Sequence, residues 1–247
     1  MQLADRIAGW LKEKVNEAGR EGIVLGLSGG IDSAVVGAIA KRAMGDRVLG
    51  MIMPCHSNPA DERDALMVAQ HYGIKTERMD LSPLYDTFLS MFPPARDIAG
   101  ANLKPRLRMI TLYYFANSLS YLVAGTGNRS ELTVGYFTKY GDGGVDVLPI
   151  GGLLKTQVRE VARELGMPEE IIDRVPSAGL WEGQTDEGEM GISYEELDRT
   201  IQWIDVGDVS RCNPETLDLV RKLYHASSHK RAPAEIFYPE ERRAFVV

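Results

Sequence analysis

The chain has 247 residues, 44% of them hydrophobic and 26% charged, with a formal net charge of −7 at neutral pH. That length suits one large α/β domain with ample core, so a single domain over 1–247 is expected. The acidic balance counts against gripping a nucleic-acid backbone, which calls for a basic face, and no run of about 18 apolar residues is present to cross a membrane.

The N-terminal Met1-Gln-Leu-Ala-Asp-Arg6 lacks the basic-then-apolar order of a secretory signal, so a cytoplasmic location is expected. Gly22 to Ser28 is a short apolar run before a glycine pair and reads as a buried strand. Ile31 to Met44 places Ile31, Val35 and Ile39 on one helical face, with Gly45 as the stop. Arg47 to Met53 reads as a second strand, closed by Pro54. Asn58 and Pro59 open a helix that runs to about Tyr72 and ends at Gly73. Ile74 to Asp80 is a third, less apolar strand, Pro105 to Ser118 a long helix, and Tyr121 to Thr126 another strand. Helices also fit Lys155–Leu165, Tyr194–Ile204 and Pro214–Tyr224, whereas Ser177–Gly191 reads as a mobile surface loop. Strand–helix alternation of this kind implies parallel strands joined by right-handed crossovers. Cys55 and Cys212 match no metal or redox spacing.

The strongest local signal is Gly26-Leu27-Ser28-Gly29-Gly30-Ile31-Asp32-Ser33, set between a buried strand and a helix. Glycines there let backbone N–H groups wrap an anion, and the helix points its positive end at the same place. Asp32 would repel phosphate unless it holds a Mg²⁺ ion that also bridges phosphate oxygens. The plainer alternative is a tight glycine turn with an acidic cap. No lysine follows the glycines, so this is not a Walker loop, and the dinucleotide spacing is also absent. The anion-loop reading fails if the loop is occluded or if Asp32 turns permanently toward a buried basic partner.

Ser28-Gly-Gly-Ile-Asp-Ser33 resembles the pyrophosphate loop of the adenine-nucleotide alpha-hydrolase group, the N-type ATP pyrophosphatases, which implies cleavage of ATP to AMP and pyrophosphate. Within that group, Gly125-Thr-Gly-Asn-Arg-Ser-Glu131, then Gly135-Tyr-Phe-Thr-Lys-Tyr-Gly-Asp-Gly-Gly-Val-Asp146, then Leu154-Lys155-Thr156, resemble the signature of the ammonia-dependent NAD synthetases, over about Leu25 to Ala234. The fold this implies is α/β: a parallel five-stranded sheet flanked by helices on both faces, Rossmann-like, with no glutaminase domain. The substrates implied are deamido-NAD⁺, ATP and ammonia, with Mg²⁺ as cofactor and a homodimer as the assembly.

Carried onto this chain, the resemblance implies ATP contacts at Gly26, Leu27, Ser28, Gly29, Gly30, Ile31, Asp32, Ser33, Thr126, Lys155 and Ser177, with Met53 near the adenine. Asp32 and Glu131 are implied as metal ligands. Arg106, Lys139, Asp146, His229 and Lys230 are implied as contacts to deamido-NAD⁺, and Asp142 as an acidic group near the reacting centre. Two polyanions meeting head to head need cations from separate segments, which these positions supply. Taken singly, each of these lysines and arginines reads more readily as a solvated surface charge, and it is their joint spacing within one family pattern that singles them out. Trp181 is left open between a loop anchor and a substrate platform. Met109, Leu112, Tyr113 and Ala116 on the long helix form either a dimer face or a core face. A tRNA-modifying pyrophosphatase would show a basic face and often catalytic cysteines, and an ATP-sensing module would have no need of Lys139, Asp146 or the Asp32–Glu131 pair.

Overall fold

The computed structural model describes residues 2–181 and 183–237. Four strands, β1 (Gly22–Gly26), β2 (Val48–Ile52), β3 (Lys75–Arg78) and β4 (Tyr121–Val123), form one parallel sheet in the order β3-β2-β1-β4. Helices α1 (Leu3–Glu17), α2 (Ile31–Met44) and α3 (Pro59–Tyr72) accompany the first strands, and α4 (Ser82–Ser90), α5 (Asp97–Ala101) and α6 (Leu103–Leu119) carry the chain back to β4. Beyond the sheet lie α7 (Arg129–Val134), α8 (Lys155–Glu164), α9 (Glu169–Ile172), α10 (Asp186–Met190), α11 (Tyr194–Asp205), α12 (Pro214–Ala226) and α13 (Ser228–Arg231).

The expected five-stranded sheet is four-stranded among the described residues. Where a fifth strand would lie, residues 145–147 run beside β4 and make a single parallel bridge, Ala124 to Val147. Gly125 N–H donates to the Val147 carbonyl at 2.8 Å and Asp146 N–H to the Val123 carbonyl at 3.0 Å. Gly143-Gly144 on one side and Leu148-Pro149 on the other leave too few residues for a ladder.

The sheet is buried on both faces, which is why β1 and β2 are near-continuous apolar runs. One face packs Val35, Ile39 and Val36 of α2, with Leu11 and Val15 of α1 and Val158 of α8 behind them. The other face packs Val24, Met51 and Val123 against Leu107, Leu112 and Ala116 of α6. Helix α1 has buried Ala4, Ala8, Leu11 and Val15 at helical spacing, a pattern present in the sequence but not in the element reading above. A third apolar cluster, centred on Tyr194, Leu197, Ile201 and Val220, joins α11 and α12.

Strand order reverses between β1 and β4, because β2 and β3 are laid to one side of β1 and the long α4–α6 excursion returns to the other. Loops leaving the carboxyl ends of β1 and β4 therefore diverge and open a crevice there. Gly73 and Gly45 end α3 and α2 as read from the sequence, and the Asn58 side chain accepts the Ala60 N–H at 2.9 Å. The segment read as a loop from Ser177 to Gly191 contains α10 instead: Thr185 caps it through the Gly188 N–H, Asp186 and Met190 are buried, and Gly191 ends it in the left-handed region. Replacing Asn58 with Ala should cost about 1 kcal/mol of unfolding free energy, read from the urea midpoint at unchanged slope.

Candidate active site

A cleft of ≈ 1270 Å³ lies at the switch point, lined by Ser28, Asp32, Met53, Thr126, Lys155 and Ser177 among others. The glycine loop forms its floor. Ser33 is buried and knits the loop: its hydroxyl donates to the Gly30 carbonyl at 2.9 Å and accepts the Ser28 N–H at 3.1 Å. Ser28 is exposed, and Gly26, Leu27, Gly30, Ile31 and Asp32 line the cleft with it, so the loop is open to a ligand. Gly29 is buried with φ +80°, and a Cβ there would come 2.5 Å from the Asp61 carbonyl oxygen, so only glycine fits.

At the centre of the cleft a single ammonium faces several carboxyls. Lys155, at the start of α8, is 1% exposed; its Nζ donates to Asp32 Oδ2 and, at 3.4 Å, to Glu131 Oε1. Burial works to lower the Lys155 pKa, but Asp32 and Glu131 outweigh it and raise it, so the ammonium keeps its proton. Asp32 thus has the buried basic partner that counted against the anion loop. The pair is not closed, however: Lys155, Asp32 and Glu131 all line the cleft, and Asp186 adds a third carboxyl to one ammonium. One Asp186 oxygen, Oδ1, is buried without a hydrogen-bond partner. Three carboxyls thus gather at one ammonium, and a bound cation would give the surroundings of the orphaned Asp186 oxygen a further partner.

Burial pushes the Glu131 carboxyl up to about 8, with Lys155 opposing and Asp32 adding to the rise. The hydrogen bonding agrees. The Tyr194 hydroxyl lies 2.9 Å from Asp186 Oδ2 and 3.1 Å from Glu131 Oε1, yet it has one proton to give, so a carboxyl proton is needed for both contacts to be hydrogen bonds.

Local structure aims these groups. Asn128, fully buried, accepts the Glu131 N–H at 3.0 Å while Glu131 Oε2 accepts the Asn128 N–H at 3.2 Å, a capping box at the start of α7. The Asn128 side-chain amide then donates to Asp32 Oδ1 at 3.0 Å. Ser130 accepts the Lys155 N–H at 3.0 Å and donates to Asp198 Oδ1, while Asp198 Oδ2 takes the Thr156 N–H at 2.8 Å. Asp198, 2% exposed on α11, thereby ties α7 to α8. Neither Asn128 nor Asp198 is among the site residues read from sequence, although the Asn–x–x–Glu spacing signals the cap.

The remaining expected residues divide. Asp142 lines the cleft and accepts the Thr138 N–H at 2.9 Å; the protein around it raises its carboxyl by burial, although its surface is open to the cleft. Lys230 also lines the cleft and donates to the Gly135 and Phe137 carbonyls at 2.7 and 2.8 Å. Burial lowers its pKa against the pull of Asp142. Arg106, Lys139 and His229 lie outside the lining and adjoin one another: Arg106 reaches the Lys139 carbonyl at 3.4 Å, and Lys139 Nζ the His229 carbonyl. Asp146 is occupied by the Tyr113 hydroxyl at 2.9 Å and the Val123 N–H at 2.8 Å. Arg108, two residues from Arg106 and so on another face of α6, lines the cleft and donates to the Met53 carbonyl at 3.2 Å. Trp181 is among the lining residues, at the end of the irregular stretch 175–181. Leu112 and Ala116 of α6 face the core, which settles that alternative for those two.

The family pattern described as NAD synthase matches residues 3–234. This chain belongs to the NAD synthase family. It is 51% identical over 237 residues to the NH(3)-dependent NAD(+) synthetase of Carboxydothermus hydrogenoformans, covering 94% of this chain and 95% of that one. Among solved structures, NMN synthetase from Francisella tularensis superposes with a TM-score of 0.88 at 36% identity, covering 94% of this chain and 96% of that one. The NH3-dependent NAD synthetase of Campylobacter jejuni, solved with a nitrate ion, gives a TM-score of 0.84 at 28% identity over 95% and 97% of the two chains. No helix of the described residues is long and apolar enough to cross a membrane.

Glu131 provides a pH test of the cluster. Its folded pKa lies above the unfolded carboxylate value, so between about pH 4.5 and 8 the folded chain holds a proton that the unfolded chain has lost, and this group makes stability fall as pH rises. The Glu131→Gln protein should therefore gain in melting temperature over wild type as pH climbs from 5 to 9, in ligand-free buffer followed by circular dichroism.

Proposed function

We propose that the protein is an ammonia-dependent NAD synthetase, a ligase that converts deamido-NAD⁺ to NAD⁺ with ATP and free ammonia and releases AMP and pyrophosphate. The observation that carries this reading is the meeting, in one cleft, of the open Ser28–Ser33 loop with the Lys155, Asp32 and Glu131 cluster. Family membership supports it. The activity is the last step of NAD biosynthesis, and we assign it to the cytoplasm.

In this reading the nicotinate carboxylate of deamido-NAD⁺ attacks the α-phosphorus of ATP, giving an NAD-adenylate and pyrophosphate. The Ser28–Ser33 loop and the positive start of α2 receive the pyrophosphate. The Lys155 ammonium, kept charged by its carboxyl neighbours, lines the same cleft and would offset charge on the phosphate oxygens. Thr126 and Ser177 line the same chamber and supply hydroxyls to ATP. No protein nucleophile is needed; the chain positions and neutralises.

Mg²⁺ fits the donor set. Asp32 and Glu131 present two carboxyl groups to the cleft, Glu131 giving up its proton when a metal is held, and Mg²⁺ usually takes one or two carboxylates together with phosphate oxygens. No group of three or more His, Cys, Asp or Glu among the described residues is placed to hold a metal by itself. When bound, Mg²⁺ offsets phosphate charge and polarises the α-phosphorus.

Ammonia then attacks the adenylate carbonyl and AMP leaves. Ammonium predominates at neutral pH, so a base is required, and Asp142, raised by burial and open to the cleft, is the group we assign. Lys230 lies beside it for the substrate carboxylate. Arg106, Lys139 and His229, gathered on the rim, are assigned to the outer part of deamido-NAD⁺, with Asp146 bracing β4 beneath them. That outlying position also supports a second reading, in which the mononucleotide acid is the substrate and the rim is not used, as the likeness to an NMN synthetase suggests.

For assembly we assign a homodimer through the outer face of α6, where Ile110 and Tyr114 are 57% and 67% exposed. Tyr114→Glu should shift the mass in analytical ultracentrifugation from two chains to one.

Incubation with ATP, Mg²⁺, ammonium and either acid should yield AMP and pyrophosphate in equal amounts, faster with deamido-NAD⁺ than with nicotinate mononucleotide. Omitting any component should stop the reaction; a faster mononucleotide reaction would move the assignment to the second reading. Asp142→Asn should lower kcat/KM for ammonium by about 100-fold at pH 7, with the deficit shrinking as pH rises and free ammonia becomes abundant. A deficit that is absent or independent of pH would remove Asp142 from the base role.

A further inference from the structure

Arg174 follows α9 and opens the irregular stretch 175–181, and no role in the reaction has been given to it above. Its guanidinium lines the cleft with Asp61 and Glu62 of α3. One nitrogen, Nη1, donates to the Gly29 carbonyl at 3.2 Å and to Asp64 Oδ2 at 2.8 Å, and the other, Nη2, donates to Asp61 Oδ1. Nη1 lies 2.9 Å from the point where a Cβ on Gly29 would sit, so the guanidinium is packed against the backbone of the anion loop itself.

The charges on this wall do not suit a polyphosphate as they stand. Glu62 is held by Arg78, at 2.6 and 3.1 Å, but Asp61 and Asp64 share Arg174 between them. A phosphate resting in the Ser28–Ser33 loop would meet these carboxylates across Gly29. A planar guanidinium binds phosphate in bidentate fashion as readily as carboxylate. Its departure from α3 would leave neither acid stranded: Asp64 retains Arg63, 3.2 Å away on the exposed side, and the Asp61 side chain is 23% open to solvent.

We propose that Arg174 is a pyrophosphate-binding residue held in reserve, which exchanges the carboxylates of Asp61 and Asp64 for phosphate oxygens when the loop is filled. This rests on the pyrophosphate-releasing reaction assigned above and names a contact within it. In the empty cleft the two aspartates keep the guanidinium beside the loop. In the filled cleft they compete with the ligand for it. Weakening Asp61 should therefore strengthen pyrophosphate binding, which a purely structural ion pair would not do.

The test is inhibition by inorganic pyrophosphate, with AMP as the control ligand that lacks it, and direct pyrophosphate titration by calorimetry. Arg174→Ala should raise the pyrophosphate inhibition constant at least tenfold, with AMP inhibition altered less than twofold, and Arg174→Lys should recover part of the loss. Asp61→Asn should lower the pyrophosphate constant several-fold, and that gain should vanish in the Arg174→Ala/Asp61→Asn double variant. Asp61→Asn and Arg174→Lys decide the matter if Arg174→Ala does not fold. The proposal is overturned if Arg174→Lys leaves the pyrophosphate constant unchanged, if Asp61→Asn fails to tighten it, or if the gain persists in the double variant. A wild-type protein that binds pyrophosphate but forms no AMP from either acid would overturn the assigned reaction, while calorimetry would still settle Arg174.

Discussion

The site is organised around one buried ammonium. Lys155 is almost wholly enclosed, and enclosing a charge is costly unless partners of opposite sign are held against it. Asp32 comes from the first turn of α2 and Glu131 from the first turn of α7, so three helix starts must converge for the ammonium to be satisfied. That convergence is also what a polyphosphate needs: amides at a helix start, a fixed cation and carboxylates able to hold a metal. The electrostatic requirement of the folded chain and that of the substrate are met by the same groups.

Around this centre the supporting contacts run from helix to helix. Asp198 on α11 ties the start of α7 to that of α8, and Tyr194, also on α11, reaches Glu131 and Asp186. The apolar cluster that seats α11 on α12 is therefore mechanically part of the site, although Tyr194 and Asp198 are buried and hold the site residues from behind the cleft. Helix α1 contributes differently. It buries Leu11 and Val15 behind α2 and so steadies the helix whose first turn carries Asp32.

Much of this was legible because it is local. A buried strand, a Ser-Gly-Gly turn and an acidic first helical turn are adjacent in the chain, and β1, the loop and α2 stand as read. The polar β3 and the capped α3 were likewise legible from short-range signals. What the sequence hides is which side chains face each other across the fold. Arg106 and Arg108 are equal in type and two residues apart, and only the rotation of α6 about its axis separates the rim from the cleft. Lys155 looks like any lysine at a helix start until Asp32, 123 residues away, is placed against it. The fifth strand fails for a local reason that was visible, glycines before it and a proline after it, yet fold analogy outweighed that signal. In residues 177–191 the abundance of Gly, Thr and Asp suggested a loop, whereas Thr185 and Gly191 are the cap and stop of a short helix whose Asp186 points inward.

Asn128 limits which replacements its own position can accept. At most helix starts asparagine and aspartate are interchangeable, since either offers an oxygen to the free N–H groups. Here the oxygen end of the amide serves the helix while the nitrogen end serves Asp32. An aspartate at this one position would leave the helix capped and set two anions face to face. One amide nitrogen thus joins the cap of α7 to the charge balance around Lys155.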